Sequence, residues 1–293
     1  MKKLGLKSFA ALTLLLVSLT GCAADNQNVL DPQGPVARTQ FHLIVWSFIL
    51  MALVVLGVFI IFIVVLVKNG KKNNPNYDPE DDGNVKLEVT WTVIPIIIVI
   101  LLAIPTVKST YDLEKPPKTA EAKTPMTIVV TSADWKWVFR YPEQNIETVN
   151  YVAIPSDRPI KFQLQAKGAM NSFWVPSLGG QAYTMPNMKM SLWLQADHPG
   201  DYLGRGANFT GKGFAHMQFH VLAKSDSDFN KWVQHVKSTA PPITQKKYDE
   251  IMKPGTVGRM TFSSTPKDDR ADIDMSSGDM SGMDMGGMHH GQH

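Results

Sequence analysis

Cysteine is all but missing: the 293 residues contain one, Cys22. A single thiol forms no intramolecular disulfide, builds no multi-thiolate metal site and cannot make the paired link of a c-type haem. The setting of Cys22 gives it another use. Leu19-Thr20-Gly21-Cys22 follows a basic start (Lys2, Lys3, Lys7) and an apolar stretch from Phe9 to Leu19. That layout predicts a bacterial lipoprotein signal peptide, residues 1–21, cleaved before a cysteine that then carries lipid such as palmitate. The mature N-terminus would lie on the outer face of the membrane. The other reading is an uncleaved anchor helix with an incidental cysteine.

A dominant charge is missing too. Lys and Arg number 29 against 26 Asp and Glu, a formal +3. Removing residues 1–21 takes away three lysines and no acid, which leaves zero. No field remains to steer a polyanion, so nucleic acid is not an expected partner. The mean hydropathy of -0.09 averages a strongly apolar first third with a polar remainder.

Two runs without formal charge stand out. Phe41 to Val67 has 27 residues, a helix of roughly 40 Å against a hydrocarbon core of about 30 Å. Val89 to Val107 has 19, bounded by Glu88 and Lys108, with Pro95 and Pro105 inside. Both read as transmembrane helices (41–67 and 89–108), since membrane helices tolerate proline when neighbours repair the lost bonds. Lys68, Lys71 and Lys72 follow the first run, so loop 68–88 is expected in the cytoplasm, with segment 22–40 and everything after the second helix outside. Trp91 would sit at headgroup level. Glu88, at the inner mouth of the second helix, reads from its position alone as a solvated charge marking a helix start.

Residues 109–125 read as a linker. Over 126–224 short segments rich in β-branched and aromatic residues alternate with Pro and Gly turns. Met126–Thr131, Trp135–Tyr141, Val149–Ile154, Ile160–Ala166, Ser172–Val175, Met188–Ala196 and Phe214–Leu222 are the expected strands of a small antiparallel sandwich or barrel. Residues 225–262 form an extension with helical spacing in Phe229–Val236, capped by Asp226 or Asp228, and again in Thr244–Met252. The end, 263–293, is a Met/His-rich low-complexity tail without the apolar mass to order itself.

Three stretches together resemble subunit II of the haem–copper respiratory oxidases. Glu88-Val89-Thr90-Trp91-Thr92-Val93-Ile94-Pro95 is similar to that family's E-x-x-W-T-x-x-P. Trp135-Lys136-Trp137-Val138-Phe139-Arg140-Tyr141 is similar to its W-x-W-x-[YF]-x-Y strand, and Asn171-Ser172-Phe173-Trp174-Val175-Pro176 to its H-S-F-x-[VI]-P strand. The resemblance spans roughly residues 40–225. It implies a two-helix transmembrane hairpin, a cupredoxin-like all-β sandwich outside, and a short C-terminal helical extension.

The departures from the family pattern carry the functional expectation. Cytochrome c oxidases hold a dinuclear copper centre here, from the H-S-F histidine and a C-x-E-x-C-x-x-x-H-x-x-M loop. Its two bridging thiolates delocalise the electron over both ions. This chain has Asn171 for the first histidine, Gly206 and Thr210 for the thiolates, Asn208 for the glutamate and Phe214 for the second histidine; Met217 alone is retained. No metal is therefore expected in the cupredoxin-like domain. His216 and His220 fall outside the ligand positions and read as surface or packing residues. The pattern resembles the quinol oxidase branch, which takes electrons from a membrane quinol rather than from cytochrome c.

The resemblance implies subunit 2 of a proton-translocating quinol oxidase that reduces dioxygen to water. The haems and catalytic copper would belong to subunit I, with smaller subunits III and IV alongside, and no catalytic residue is expected in this chain. Glu88 matches the position at the cytoplasmic mouth of a proton path into subunit I. Trp135 stands where the family's electron-accepting aromatic lies; without copper behind it, packing is expected. In the tail, Met283, Met285, Met288, His289, His290 and His293 offer thioether and imidazole groups that suit weak copper binding, against the plainer reading of a solvated tail. A rival reading of the whole is a lipid-anchored cupredoxin-like copper-handling protein. The Glu88–Pro95 signature and the two spans count against it.

Overall fold

The computed structural model describes residues 29–69, 83–117 and 123–266. Cys22, Lys71, Lys72 and the tail from Met283 to His293 lie outside the described residues.

Two long helices come first, α1 (Pro35–Asn69) and α2 (Val85–Leu113). Most of their large apolar side chains are exposed. Lipid, not water, is the solvent that tolerates such a surface. With 35 residues, α1 reaches roughly 50 Å at about 1.5 Å per residue, and the excess falls at its outer end. The helix starts six residues before the uncharged run because Pro35 is preset for a first helical position, where its missing N–H costs nothing. Asn84 caps α2, its Oδ1 accepting from Lys86 N at 3.0 Å and Leu87 N at 3.4 Å. Pro95 and Pro105 stay within the helix.

The ectodomain is a sandwich. One sheet takes β1 (Met126–Ala133), β2 (Lys136–Tyr141), β3 (Ile146–Val149), β5 (Ile160–Ala166), β8 (Met190–Leu194) and β11 (Met260–Phe262), in the order β11-β3-β2-β1-β5-β8. The other takes β4 (Tyr151–Pro155), β6 (Asn171–Trp174), β7 (Ala182–Thr184), β9 (Gly200–Gly206) and β10 (Gln218–Lys224), in the order β4-β10-β9-β6-β7. The expected antiparallel arrangement needs correcting at two places: β1 pairs β5 and β4 pairs β10 in parallel. Side-chain alternation reports which face a residue occupies, not the direction of the neighbouring strand.

Period-two alternation explains the core. Trp137, Phe139 and Tyr141 of β2 point inward and are fully buried with Met126, Ile128 and Val130 of β1. Across the interior Phe173 stacks on Phe219 at 4.9 Å, and Trp137 meets both rings edge-on. Gly204 on β9 makes room for the Phe219 ring, since a Cβ there would come within 2.0 Å of it. The expected strand Val149–Ile154 is two strands. Asn150 breaks it at φ 57°, left-handed space that Asn tolerates, and sends β4 into the second sheet. Its Oδ1 accepts from Trp137 N at 2.9 Å.

Val138, Ala133 and Val149 face the other way and would meet water. The extension covers them. It comprises α3 (Asp226–Thr239), α4 (Gln245–Ile251) and β11, and supplies Ile243, Tyr248, Ile251, Met252 and Phe262 to a second apolar cluster. Ser225, rather than Asp226 or Asp228, caps α3 by accepting from Asp228 N at 3.1 Å. Ser225 Oγ in turn donates to Asp228 Oδ2 at 2.8 Å, and that bond together with Lys231 holds the Asp228 carboxyl below the usual range.

The outer end of α1 is built into the sandwich. Val36 joins its core, against Gly179 and Leu194. Gln33 N donates to Ser177 O at 2.8 Å, Asp197 N donates to Gln33 O at 2.9 Å, and Arg38 pairs with Asp197. Gly34 is required: a Cβ would sit 2.0 Å from Gln195 O.

Candidate functional site

One end of the sandwich gathers Trp135 with Asn171, Gly206, Asn208, Thr210, Phe214 and Met217, the positions matched to the family's copper ligands. Phe173 pairs with Gly206, and Gly206 N donates to Met217 O at 3.0 Å, which closes the loop between β9 and β10. A one-turn 3-10 helix, Phe214–His216, leads into Met217, where a strand beginning at Phe214 was expected. The short turn lets the loop fold back beneath Trp135.

The two amides at these positions are engaged in structure. Asn171 Nδ2 donates to Ser132 Oγ at 3.2 Å and to Ala169 O at 2.9 Å. Ser132 Oγ donates to Thr184 Oγ1 at 2.7 Å, and Thr184 donates on to Asn171 O at 3.0 Å. All three are buried. The hydrogen bonds within this polar cluster offset the desolvation cost of burying it at the edge of the core. Asn208 Oδ1 accepts from Ser172 N at 2.5 Å and its Nδ2 donates to Met170 O at 3.1 Å. Gly206 has no side chain; a Cβ there would lie 3.5 Å from Met217 Sδ, and Met217 is 1% exposed. Phe214 packs edge-on to Phe209 at 5.8 Å. Thr210 Oγ1 is buried without a hydrogen-bond partner among the described residues, while Thr210 O accepts from Trp135 Nε1 at 3.0 Å.

Trp135 holds φ 63°, a strained value for a bulky residue. Its surroundings enforce it. The indole lies over Gly211 and Gly213, where a Cβ on Gly213 would come 2.3 Å from the ring. His216 is exposed, and His220 Nδ1 meets Asp201 Oδ1 at 2.7 Å on the sheet surface. Glu88 stands exposed in the first turn of α2, where the helix dipole favours a carboxylate. Sequence reasoning missed Ser132 and Thr184. Ser132 was findable, since it continues the inward positions 126, 128 and 130; three-residue β7 gives Thr184 no such pattern.

The resemblance to oxidase subunit II implies a dinuclear copper centre at this end, and the residues present do not fit one. Amides here are spent on backbone and hydroxyl partners, and one thioether is the only soft donor among the six positions. Among the described residues no cluster of three His, Cys, Asp or Glu could hold an ion.

The class defined by these features is a helical hairpin carrying a cupredoxin-type sandwich. Known proteins agree. The family described as cytochrome c oxidase subunit II, transmembrane domain, matches residues 24–108, and its periplasmic domain matches 138–224. Quinol oxidase subunit 2 of Bacillus cereus is 54% identical over 90% of this chain and 91% of its own. Quinol oxidase subunit 2 of Bacillus subtilis is 50% identical over 89% and 82%. The periplasmic domain of subunit II of cytochrome oxidase from Bradyrhizobium japonicum aligns at 22% identity, over 39% of this chain and 94% of that one, with a TM-score of 0.37. The chain belongs to the cytochrome c oxidase subunit II family. It is accordingly a membrane protein with its sandwich outside, a subunit of an oxidase complex. The copper-handling alternative is not favoured by relatives that match nearly end to end.

Proposed function

We propose that this chain is the non-catalytic subunit 2 of a proton-translocating quinol oxidase and relays no electrons itself. The observation that carries the reading is the state of the six family ligand positions. Asn171 and Asn208 spend their amides on hydrogen bonds, Gly206 has no side chain, Phe214 packs on Phe209, Thr210 offers a hydroxyl in place of a thiolate, and Met217 is left with one sulfur. A relay needs a redox centre, and lost soft ligands leave no means to hold it. The relatives' names supply the donor class, a quinol.

In this reading the haems and catalytic copper sit in subunit I, subunits III and IV complete the membrane part, and quinol delivers electrons within the bilayer, with no role for cytochrome c. α1 and α2 buttress subunit I, and the sandwich caps it. Glu88 marks the cytoplasmic mouth of a proton path into subunit I; an ionisable group at the membrane edge is a functional candidate. Cleavage after residue 21 and acylation of Cys22 would add a second hold on the outer leaflet. The tail methionines and histidines would bind copper weakly at most.

The test is oxygen uptake by the purified complex with quinol and with reduced cytochrome c as competing donors. Uptake with quinol alone is expected, together with no mixed-valence copper signal from the sandwich. Uptake driven by cytochrome c, or a stoichiometric mixed-valence signal, overturns the reading.

A further inference from the structure

Several methionines of the ectodomain fill apolar space: Met126, Met217 and Met252 are buried, and Met190 packs against the sandwich core. Met170 and Met188 do not; they are 43% and 48% exposed. Met188 lies where β7 turns into β8. There Met185 and Met188 face each other across a two-residue turn, as a bridged antiparallel pair. Pro186 and Asn187 make the turn, and Asn187 holds φ 61°. A positive φ at the second central residue, after proline at the first, is what a type II turn requires. The turn fixes the pair, since directly opposed residues keep their Cβ atoms about 4.5–5.5 Å apart on one face of a ribbon. Met185 O also accepts from Ala166 N at 3.2 Å, which ties the turn to the end of β5. Met170 approaches from the residue before β6. Asn171 pairs with Thr184, and the same register carried one residue further sets Met170 against Met185. Asn208 Nδ2 holds Met170 O in place at 3.1 Å.

We infer that Met170, Met185 and Met188 form a binding site for one Cu(I) ion. The donor set selects the occupant. Thioether sulfur is soft and uncharged, and it favours Cu(I) over the hard divalent cations, which need oxygen, and over zinc, which takes thiolate, imidazole or carboxylate. Methionine side chains are long, unbranched and adaptable, so sulfur atoms can converge from backbone positions one strand apart. Packing does not call for a thioether at 170 or 188, because nearly half of each residue meets solvent. The site is separate from the family's copper positions: Met217 stays buried, with its sulfur toward Gly206, and does not join it. A single Cu(I) ion has a filled d shell and gives no mixed-valence signal. The inference therefore does not depend on which donor the oxidase uses, nor on whether this chain relays electrons.

The test is competition for Cu(I) with bathocuproine disulfonate, under ascorbate and without oxygen, in detergent micelles. The full chain is compared with a chain lacking residues 275–293, which keeps every described residue and loses the methionines and histidines of the tail. The shortened chain should still hold one Cu(I). Met170→Leu and Met188→Leu should each weaken that binding at least about tenfold, since losing a ligand costs no less than the roughly 10- to 100-fold of losing a group behind one. Leucine nearly conserves the volume and both positions are exposed, so the melting temperature should not move. Met190→Leu, at a methionine turned to the core, should leave the affinity unchanged. With selenomethionine in the shortened chain, X-ray absorption at the copper edge should show two or three selenium neighbours. Binding that disappears with the tail overturns the proposal. So does binding that survives both substitutions, or a copper ion with only nitrogen and oxygen neighbours.

Discussion

Gly213 and Trp135 show how a single missing side chain shapes the loop end. The indole needs the space a Cβ would take, 2.3 Å away, and in return reaches Thr210 O. Gly213→Ala should push the ring off that carbonyl and cost about 1–3 kcal/mol, as overpacking does. A red shift in tryptophan emission and a lower melting temperature are the expected readouts; unchanged values would mean the ring is not held as described. Lys136 is a different kind of residue: a fully buried ammonium whose Nζ donates to Lys253 O at 2.5 Å. Burial pulls its pKa below the usual lysine value of 10.5. The sign follows directly. Between the folded pKa and 10.5 the unfolded chain binds more protons, so wild-type stability rises with pH across that window. Lys136→Met should remove this rise. Denaturant unfolding of the two chains at several pH values checks it, and a difference that stays flat with pH would refute it. Position 136 carried no warning of burial in the sequence, because its cover comes from residues more than a hundred positions later.

Among the elements, α1 illustrates what a hydropathy run conceals. Phe41–Val67 marks the part that meets lipid, whereas Pro35–Thr39 forms the part that meets protein. Two substitutions there should separate backbone fit from charge. Gly34→Ala drives a methyl into Gln195 O and should break the Gln33–Ser177 and Asp197–Gln33 bonds. Arg38→Ala removes a partly exposed ion pair, worth about 0–1 kcal/mol. Hydrogen exchange at the Gln33 and Asp197 amides should accelerate strongly in the first variant and little in the second; the reverse order would show that charge rather than packing seats the helix. The strands divide by length and composition. β1, β2 and β5 were legible because alternating large side chains face a core. β9 was hidden by three glycines, one of which exists to admit Phe219. β7 and β11 are three residues each and owe their existence to neighbours already in place.

For the whole molecule, the prediction concerns Glu88. If it serves the proton path of the complex, Glu88→Ala should lower turnover and proton uptake in parallel while subunit content stays the same. Full turnover with full proton uptake would reduce it to the helix-start charge that its exposed position in α2 equally permits.

The sequence alone determined the two spans and the sandwich, and its resemblance to oxidase subunit II implied the loss of the copper ligands. These rest on composition and on side-chain chemistry: uncharged runs need lipid, alternation needs two faces, and a chain with one cysteine outside the sandwich cannot bridge two copper ions there. Only the tertiary structure decided what fills the former ligand positions, which strands run parallel and how α1 locks into the ectodomain. Those outcomes depend on contacts between residues far apart in the chain, such as Asn171 with Ser132 or Arg38 with Asp197. Local patterning fixes the face a residue occupies, and the partner waiting on that face is set only when the layers close.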